Sequence, residues 1–425
     1  MRHFIFLSTV LGGCCITMEA LACTPLPQIL DSNLLGSPLI KSAQLDIEIA
    51  DNNLLSVRSN WRPQVSAIAR TAAGDTPFSQ VQVDNNIGLR LSQRVFDFGR
   101  SGLQRKVVGY ERTEASARYN ATKEKEAFEI INSYVDILEA NETLLIMNDR
   151  QSYLEEKVDT LSLMLAQGST TISNISEAKA EFASTAGDIS FIEALKSDAE
   201  SQLLTRNGEF KGVCNLKSVL FWLDAKMIPF TTRQYTMADM AQSPLYQAED
   251  ARYQSLKIKE SIAKRSRLPI IEAVGTSLYG YDNFNEGWGI RNQIGIEVNL
   301  PIVTGGRQKA KLTRTKLDTR RAYFKTREIA RLLHQKTLSI TAQIKLLSRE
   351  VEARVEAKTA VLAHYDSAVQ EYNLGALTFS ELIEIRLKRD NANLKLTKVK
   401  FELIRQRLHL TNLTTGFVTT AKSKN

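Results

Sequence analysis

The sequence predicts an α+β membrane protein built from two tandem repeats, each a β-hairpin followed by a long pair of coiled-coil helices. Two segments carry this prediction, IGLRLSQRVFDFGR at 87–100 and IGIEVNLPIVTGGR at 294–307. Both begin with alternating apolar and polar residues, the pattern of a strand with two different faces. Both end in Gly-Arg and lead directly into a long charged stretch with helical periodicity.

The two segments are copies of each other at an offset of 207 residues. The matching residues are Ile87, Gly88, Gly99 and Arg100 in the first copy and Ile294, Gly295, Gly306 and Arg307 in the second. Gly168 and Gly375, each expected at the turn of a helix tip, share this offset, and Pro63 and Pro269 are 206 residues apart. A nearly constant offset over such a distance indicates two structural repeats.

The composition is that of a folded chain, with 43% hydrophobic and 24% charged residues among 425, so extensive disorder is excluded. The net charge of +8 arises from 55 basic and 47 acidic residues scattered along helical stretches. There is no basic block with interleaved aromatics. A solvated helical surface therefore explains the charge better than nucleic-acid binding does.

Residues 1–22 have the pattern of a secretory signal peptide. A basic start precedes an apolar run at 4–16, and Ala-Leu-Ala at 20–22 is a small-x-small cleavage site. No later segment has the run of about eighteen apolar residues that a transmembrane helix needs. The sequence therefore predicts export.

Two cysteines remain after removal of the signal peptide, which contains Cys14 and Cys15. Cys23 and Cys214 would lie in an oxidising compartment, which favours a disulfide between them. Lipidation of Cys23 as the first mature residue is one alternative, although Ala20 stands where bacterial lipoproteins usually carry leucine. Two free thiols are the other.

Each repeat is predicted to contain the same elements in the same order: a helical segment, two strands flanking a polar loop, and two helices. In the first repeat, at 23–207, the strands lie at about 63–74 and 84–96 and the helices at about 100–167 and 174–207. In the second, at 244–416, the strands lie at about 269–281 and 289–301 and the helices at about 307–373 and 380–414. Residues 208–243 would join the repeats, and 417–425 would form a tail.

The predicted long helices resemble coiled coil more than globular core. At 1.5 Å per residue, about 65 residues extend roughly 100 Å, far beyond a globular helix. Apolar residues follow two adjacent stripes, which indicates neighbours on both sides, as in a ring of helices. An antiparallel bundle would explain the heptads equally well but not the strands.

The strands have the length and alternation of outer-membrane strands. The lipid-facing residues would be Leu89, Leu91, Ile294, Ile296 and Val298, and Arg90, Gln293 and Glu297 would face water. Four strands are too few for a wide barrel, and open edges would be left unsatisfied in lipid. Closure therefore requires several chains, of which three would supply twelve strands. A soluble β-hairpin domain is the alternative, which the signal peptide disfavours.

The strand-to-helix junctions are marked by Gly99, Arg100, Pro301, Gly306 and Arg307. Pro301 cannot donate to a strand ladder, so pairing is expected to stop there. The glycines permit the turn into the helix.

The duplicated hairpin and helix pair, the junction motifs FDFGR and LPIVTGGR, and the glycine at each tip resemble the TolC family of outer-membrane efflux proteins. The resemblance covers about 30–415. It implies a homotrimer with a twelve-stranded β-barrel in the outer membrane, continued by an α-helical tunnel across the periplasm. It also implies that the inter-repeat segment joins the C-terminal segment in an equatorial belt.

The segment YNLGALTFSELIEIR resembles the periplasmic tip of that family. Relatives carry acidic residues at the entrance where this chain has Glu381 and Glu384, which share a helix face and would form a cation-attracting ring in a trimer. Tyr372 matches the gate tyrosine of the family. Its acidic partner is replaced by Asn174 and the gate arginine by Leu377. The expected gate is a neutral Tyr372–Asn174 hydrogen bond of about 1 kcal/mol.

The sequence indicates neither an enzyme nor a cofactor or metal site. His334, His364 and His409 are isolated on helical stretches without metal-ligand spacing. The glycines at 305–306 lack the pattern of a phosphate-binding loop.

The resemblance implies a passive exit duct in the outer membrane of a Gram-negative cell, working with a periplasmic adaptor and an inner-membrane ABC or proton-driven transporter. The first tip, QGSTTISNISEAKAEF, resembles that of partners of type I protein exporters, which favours secreted proteins as cargo. Multidrug or metal efflux is the alternative. A periplasmic coiled-coil adaptor or scaffold is a further alternative, but adaptors have one hairpin beside a lipoyl-like β-domain rather than a tandem repeat.

Overall fold

The computed structural model describes residues 23–76, 79–207, 210–227, 235–282 and 287–418. The predicted signal peptide at 1–22 and the tail from 419 onward lie outside the described residues. Within the described ranges, no helix combines the length and the apolarity needed to cross a membrane.

Helices and a single antiparallel sheet make up the described chain. The helices are α1 (Leu26–Gly36), α2 (Pro38–Ser59), α3 (Arg100–Ala166), α4 (Ile172–Asn207), α5 (Leu216–Lys226), α6 (Pro244–Arg265), α7 (Arg307–Asn373) and α8 (Phe379–Thr414). The strands are β1 (Gln64–Thr76), β2 (Ser79–Phe96), β3 (Ile270–Asp282) and β4 (Gly287–Asn299). A 3-10 helix covers Asp239–Gln242.

The repeat is visible in the helix lengths. Helices α2 and α6 both have 22 residues and begin with a proline after a serine, where the fixed φ of proline suits the first helical turn. Helices α3 and α7 both have 67 residues, and α4 and α8 both have 36. The predicted fold class, a duplicated hairpin and long helix pair, is confirmed.

The four strands form one sheet in the order β1-β2-β3-β4, with every pair antiparallel. In the first hairpin Ala67 pairs with Leu89, and in the second Ala273 pairs with Ile296. The hairpins therefore have the same register, with β3 offset by 206 residues from β1 and β4 by 207 from β2.

The polar loop predicted between the strands at about 63–74 and 84–96 was wrong for most of its length. The ladder continues through the pairs Ala73↔Val83 and Gly74↔Gln82, and β2 begins at Ser79. Ladder hydrogen bonds join backbone groups, so polar side chains do not prevent a strand from continuing. Residues 77–78 lie outside the described residues.

The chain divides into two compact units. The first comprises the described residues up to Asn33 with Ile130–Lys226 and Glu356–Lys398. The second comprises Leu34–Glu129, Met227–Val355 and the described residues from Val399. Each unit contains parts of both repeats, because the long helices run through both. The helix tips belong to the first unit and the strands with their junctions to the second.

The described end of the inter-repeat segment packs on helices of the second unit. Tyr235 and Met240 join Leu333, Ile344 and Leu410 in one apolar cluster. The C-terminal segment is also held there: the carboxylate of Glu124 accepts the backbone N–H groups of Phe417 (2.6 Å) and Val418 (3.0 Å).

Candidate functional site

The two helix tips have the same hydrogen-bonded turn. Gly168 and Gly375 adopt φ of +71° and +73°, a left-handed conformation open to glycine. Their N–H groups donate to Leu165 O and Tyr372 O, both at 3.0 Å. The following amides donate to the carbonyls five residues back, at 2.8 and 2.9 Å. This pattern is the Schellman motif, and it ends α3 and α7 in the same way.

A threonine caps the second helix of each tip. The Thr171 hydroxyl accepts the N–H of Asn174, and the Thr378 hydroxyl accepts the N–H of Glu381, both at 3.3 Å. The carboxylate of Glu381 accepts the N–H of Thr378 at 2.9 Å and also its hydroxyl. This reciprocal arrangement is a capping box, and its hydrogen bonds lower the pKa of Glu381. The sequence pattern of a capping box, T-x-x-E at 378–381, is present, but the sequence analysis assigned Glu381 only to the acidic ring.

The second predicted ring residue is paired with a lysine of its own helix. Glu384 forms an ion pair with Lys388 at 2.7 Å, and both side chains are exposed. At the same offset, Asn174 is the copy of Glu381 and Glu177 is the copy of Glu384. Both tips therefore have a glutamate at the position of Glu384. At the position of Glu381, only the second repeat has a carboxylate.

The predicted Tyr372–Asn174 hydrogen bond is not formed in the described part of the chain. The Asn174 side-chain amide donates to the Thr170 hydroxyl at 3.2 Å, and its carbonyl oxygen accepts the Ser380 hydroxyl at 3.4 Å. The Tyr372 ring packs against Phe379, with centroids 6.0 Å apart. Neighbouring hydroxyl groups thus hydrogen-bond the Asn174 side chain, and apolar packing against Phe379 holds the Tyr372 ring.

Apolar packing also fills the position of the gate arginine of the family. Leu377 packs against a cluster formed by Ala368, Leu382 and Ile385. A second apolar cluster joins α3, α4 and α8 near the tips: Leu154, Leu161, Ile175, Ala178, Phe379 and Ile383. The tip itself is therefore held mainly by apolar contacts.

A group of charges that the sequence analysis missed lies in the same unit, and we call it the charged cluster: Asp149, Arg150, Arg386, Arg389 and Asp390. Asp390 is fully buried, and its carboxylate lies 2.8 Å from Arg389, 3.2 Å from Arg386 and 3.7 Å from Arg150. Asp149 is largely exposed and binds Arg386 at 2.6 Å and Arg389 at 3.2 Å.

Two tyrosines enclose the charged cluster. The guanidinium of Arg386 lies 4.7 Å from the ring centroid of Tyr153 and 5.5 Å from that of Tyr365. Burial raises the pKa of Tyr153 to about 12. Burial alone would lower the pKa of Arg386, but hydrogen bonding to Tyr365 and the nearby carboxylates raise it above its usual value. Arg386 therefore stays charged, and its contacts tie α3, α7 and α8 together.

The two strand-to-helix junctions share an unusual backbone conformation, with positive φ at two successive residues. Phe98 and Gly99 have φ of +56° and +76°, and Gly305 and Gly306 have +56° and +82°. Arg100 donates to the carbonyl oxygens of Leu268 (2.9 Å) and Pro269 (3.0 Å), joining the first junction to the chain just before β3.

The second junction begins where strand pairing stops. Strand β4 ends at Asn299, two residues before Pro301, and α7 begins at Arg307.

The sheet has an apolar and a polar face. The register places Leu91, Gly275 and Ile294 in one row across three strands. Arg90, Thr276 and Gln293 form a row on the opposite face, where Arg90 also binds Glu297 at 2.7 Å. The predicted lipid-facing residues are all exposed in the single chain: Leu89 55%, Leu91 45%, Ile294 95%, Ile296 75% and Val298 60%.

Cys23 and Cys214 form a disulfide across a sequence separation of 191 residues. A sulfur in a disulfide cannot also carry a lipid thioether, so the lipidation alternative does not fit this structure. Tyr134, fully buried, accepts the N–H of Cys214 at 2.7 Å and donates to the carbonyl of Thr24 at 3.1 Å.

The described chain thus combines a four-stranded sheet that has an exposed apolar face with duplicated long helix pairs that end in matching tips. Residues 29–208 match the sequence profile described as outer membrane efflux protein. The first repeat is therefore similar to outer membrane efflux proteins. The second repeat, its copy at an offset of 207 residues, lies outside the matched range.

Individual proteins are similar to this chain over most of its length. The outer membrane efflux protein BepC of Brucella suis biovar 1 (strain 1330) is 21% identical over 393 residues, covering 90% of this chain and 83% of BepC. The CmeC outer membrane channel of Campylobacter jejuni has a TM-score of 0.76 at 15% identity, over 94% of this chain and 87% of CmeC. The open state of the Neisseria gonorrhoeae MtrE outer membrane channel has a TM-score of 0.77 at 16% identity, over 92% of this chain and 89% of MtrE.

Proposed function

We propose that three copies of this chain form the passive exit duct of a tripartite export system. The observation that carries the proposal is the sheet, whose apolar face is exposed and whose outer strands β1 and β4 each have one edge without a strand partner in the described chain. Such edges are unfavourable in lipid, and closure into a barrel removes them. Three chains would give twelve strands, with the apolar face toward lipid and the polar face toward a water-filled lumen.

Single-channel recording tests this function directly. The protein, extracted from membranes as a trimer and inserted in a planar bilayer, should conduct ions in discrete steps. A well-folded trimer that never conducts would contradict the channel function. An adaptor or scaffold would give this second result.

The helix tips would form the periplasmic entrance, where Glu381 and Glu384 contribute to an acidic ring. Because Glu381 also caps α8, an alanine there would disturb the helix as well as the charge. The variant E381Q/E384Q keeps a capping-box residue while removing both charges. It should reduce block of the channel by divalent or trivalent cations. The matched control E193Q/E352Q removes two exposed charges elsewhere on the helices, and equal block in both variants would contradict the ring.

The duct would be passive. Energy would come from an inner-membrane ABC or proton-driven transporter, joined to the tips by a periplasmic adaptor. For the cargo we propose secreted protein, through a type I system, because the first tip resembles that of partners of such exporters. Drug or metal efflux is the second candidate, favoured by the name efflux protein that BepC carries.

Purification of the cross-linked envelope complex distinguishes these cargoes. Co-purification of an ABC exporter, with loss of one secreted protein on deletion of this chain, would support type I secretion. Co-purification of a proton-driven pump, with increased sensitivity to toxic compounds, would support efflux instead.

A further inference from the structure

Basic residues concentrate where the helices adjoin the sheet. We call the four segments 58–63, 97–107, 264–269 and 304–314 the basic collar, and all of them lie in the second compact unit. They contain twelve lysines and arginines and a single acidic residue, Asp97, which is buried. The resulting net charge of +11 exceeds the +8 of the whole chain. Because the segments are far apart in the sequence, no basic block is visible there.

The charges of the basic collar are open to a partner. Eleven of the twelve side chains are exposed, and only Arg100 is half-buried. Within the described residues, only Lys264 and Arg314 form ion pairs, each with a carboxylate four residues away on its own helix. The other exposed cations therefore have no counter-charge in the described part of their own chain.

Helix stability does not explain the cations at the start of α7. This helix begins at Arg307, has Lys309 and Lys311 close behind, and has no acidic residue in its first turn. Positive charge near a helix N-terminus is unfavourable, because the helix dipole already presents positive charge there. Asp97 offsets this effect at α3, but its copy at α7 is Thr304. An anion from outside the chain would stabilise this end of α7.

Exposed apolar residues lie next to the basic collar in the second junction. The alternation of β4 continues beyond Val298 to Leu300 and Ile302, which are 51% and 86% exposed, and Val303 is 88% exposed. The apolar face of the sheet therefore continues up to the cations. Apolar side chains beside lysine and arginine are typical of surfaces that bind the interface of an anionic membrane.

The first junction indicates that a neighbouring copy would leave this surface open. Val95 and Phe96 are the copies of Ile302 and Val303. Phe96 pairs with Ile271 of β3, so the second repeat already lies beside the first junction. Val95 and Phe96 nevertheless remain 53% and 47% exposed. The equivalent residues of the second junction should therefore stay partly exposed in a trimer.

We propose that the basic collar binds the headgroups of anionic phospholipids in the periplasmic leaflet of the outer membrane, an inference that rests on the proposed function. The exposed apolar residues would lie at the edge of the hydrocarbon. The lysines and arginines would extend from there to the lipid phosphates.

The placement of the cations favours a lipid surface over a ligand of fixed shape. Both junctions are basic, but their cations stand at different positions. Lys309 and Lys311, for example, correspond to Gly102 and Gln104 in the first repeat. The repeats thus share charge without sharing its geometry, which suits a layer of mobile headgroups.

Lipid retention, read by native mass spectrometry, tests the proposal. The complete protein is equilibrated in detergent with phosphatidylglycerol and phosphatidylethanolamine, and the lipids that remain bound are counted. The wild-type protein should retain the anionic lipid about tenfold over the zwitterionic one, and K106Q/K309Q/K311Q should lose most of this preference. The matched control K336Q/K345Q/R349Q removes three exposed charges further along α7 and should keep it.

Two outcomes would overturn the proposal: no preference in the wild-type protein, or an equal loss of preference in both variants. Single-channel conductance is recorded on the same preparations. A protein that conducts without a lipid preference contradicts only this inference, whereas a folded trimer that does not conduct contradicts the proposed function.

A spin label gives a second test, of where the exposed apolar residues lie. Cys23 and Cys214 are joined in a disulfide, so one added cysteine can be labelled selectively. In vesicles that contain phosphatidylglycerol, a nitroxide on V303C should collide more with oxygen, which dissolves in hydrocarbon, than with a water-soluble nickel complex. The control K345C should show the opposite order. Access of the nickel complex to V303C, or protection of V303C from both reagents by a neighbouring copy, would overturn the placement in the leaflet.

Discussion

Removal of the Asp390 carboxylate should loosen the helices near the tips. Asp390 is fully buried and faces three guanidinium groups within 2.8–3.7 Å. In D390A, Arg150 and Arg386, both nearly buried, would lose this counter-charge. Breaking a buried pair in this way typically costs about 3–5 kcal/mol, because the remaining charge stays desolvated.

Asp149 provides a matched control in the same cluster. It binds Arg386 and Arg389, two of the arginines that contact Asp390, but its side chain is 64% exposed. Water can hydrate the two arginines in place of the Asp149 carboxylate, so D149A should lower the local opening free energy by at most about 1 kcal/mol. The two variants remove the same charge and differ mainly in burial.

Hydrogen exchange of the protein in detergent, read by mass spectrometry on peptides from the tip end of α8, measures the difference. Each 1.4 kcal/mol of local opening free energy is about a factor of ten in protection. D390A should therefore lower protection by about two to four orders of magnitude, and D149A by less than about tenfold. Similar protection in both variants would refute the reasoning that burial makes Asp390 the centre of the cluster.

Three further perturbations address the disulfide and the tips. Replacing Cys23 and Cys214 by serine should lower the melting temperature in detergent, since closing a loop of this length contributes up to about 5 kcal/mol in the chain-entropy account; an unchanged melting temperature would contradict this. G375A should destabilise the second tip by roughly 1–2 kcal/mol, seen as faster local exchange, because the residue has φ of +73°. The capping contribution of Glu381 should be complete above the ordinary glutamate pKa of 4.5 and decline as pH falls through the lowered folded pKa; T378A should weaken this pH dependence of protection, because it removes the hydroxyl and keeps only the backbone N–H that binds the carboxylate.

Matched control variants separate these effects from nonspecific destabilisation of the protein. G187A changes a glycine inside α4 that has no left-handed φ and no described atom near its Cβ position, so it should not destabilise the chain. T378S keeps the capping hydroxyl and should retain the pH dependence. An equal loss of protection in G187A and G375A would show that backbone conformation is not the cause.

Much of the fold could be predicted because local signals repeat. Helices α3 and α7 begin at Arg100 and Arg307, as predicted, since glycine and a strand end mark both starts. Side-chain alternation was a poorer guide to the end of a strand. The β1–β2 ladder extends into the segment predicted as a loop, because the pairing of backbones depends on the neighbouring strand.

The charged cluster could not be predicted from periodicity. Arg386 and Asp149 are separated by 237 residues, and on a helix each has the pattern of an ordinary solvated charge. Only the packing of α8 against α3 buries Asp390 and brings the arginines around it. The missed capping box is a different case, because its pattern is local and was readable in the sequence.

The charged cluster has no equivalent at the corresponding positions of the other repeat. At an offset of 207 residues, its members correspond to Glu356, Ala357, Lys179, Phe182 and Ala183. The copied contact, between α7 and α4, would lie between neighbouring chains in the proposed trimer. It lacks the buried carboxylate and all three arginines, one of which is replaced by Lys179, and keeps one exposed pair of opposite charges.

This asymmetry predicts where the entrance opens. The charged cluster holds α3, α7 and α8 of one chain together, whereas the copied contact offers only Glu356 and Lys179, an exposed pair worth less than about 1 kcal/mol. We therefore expect the tips of neighbouring chains to separate while each chain moves as one body. A disulfide between K179C and E356C of neighbouring chains should hold the channel closed in single-channel recordings. A disulfide between D149C and R386C within a chain should leave opening unimpaired, and closure by this second cross-link would show that the movement occurs inside each chain.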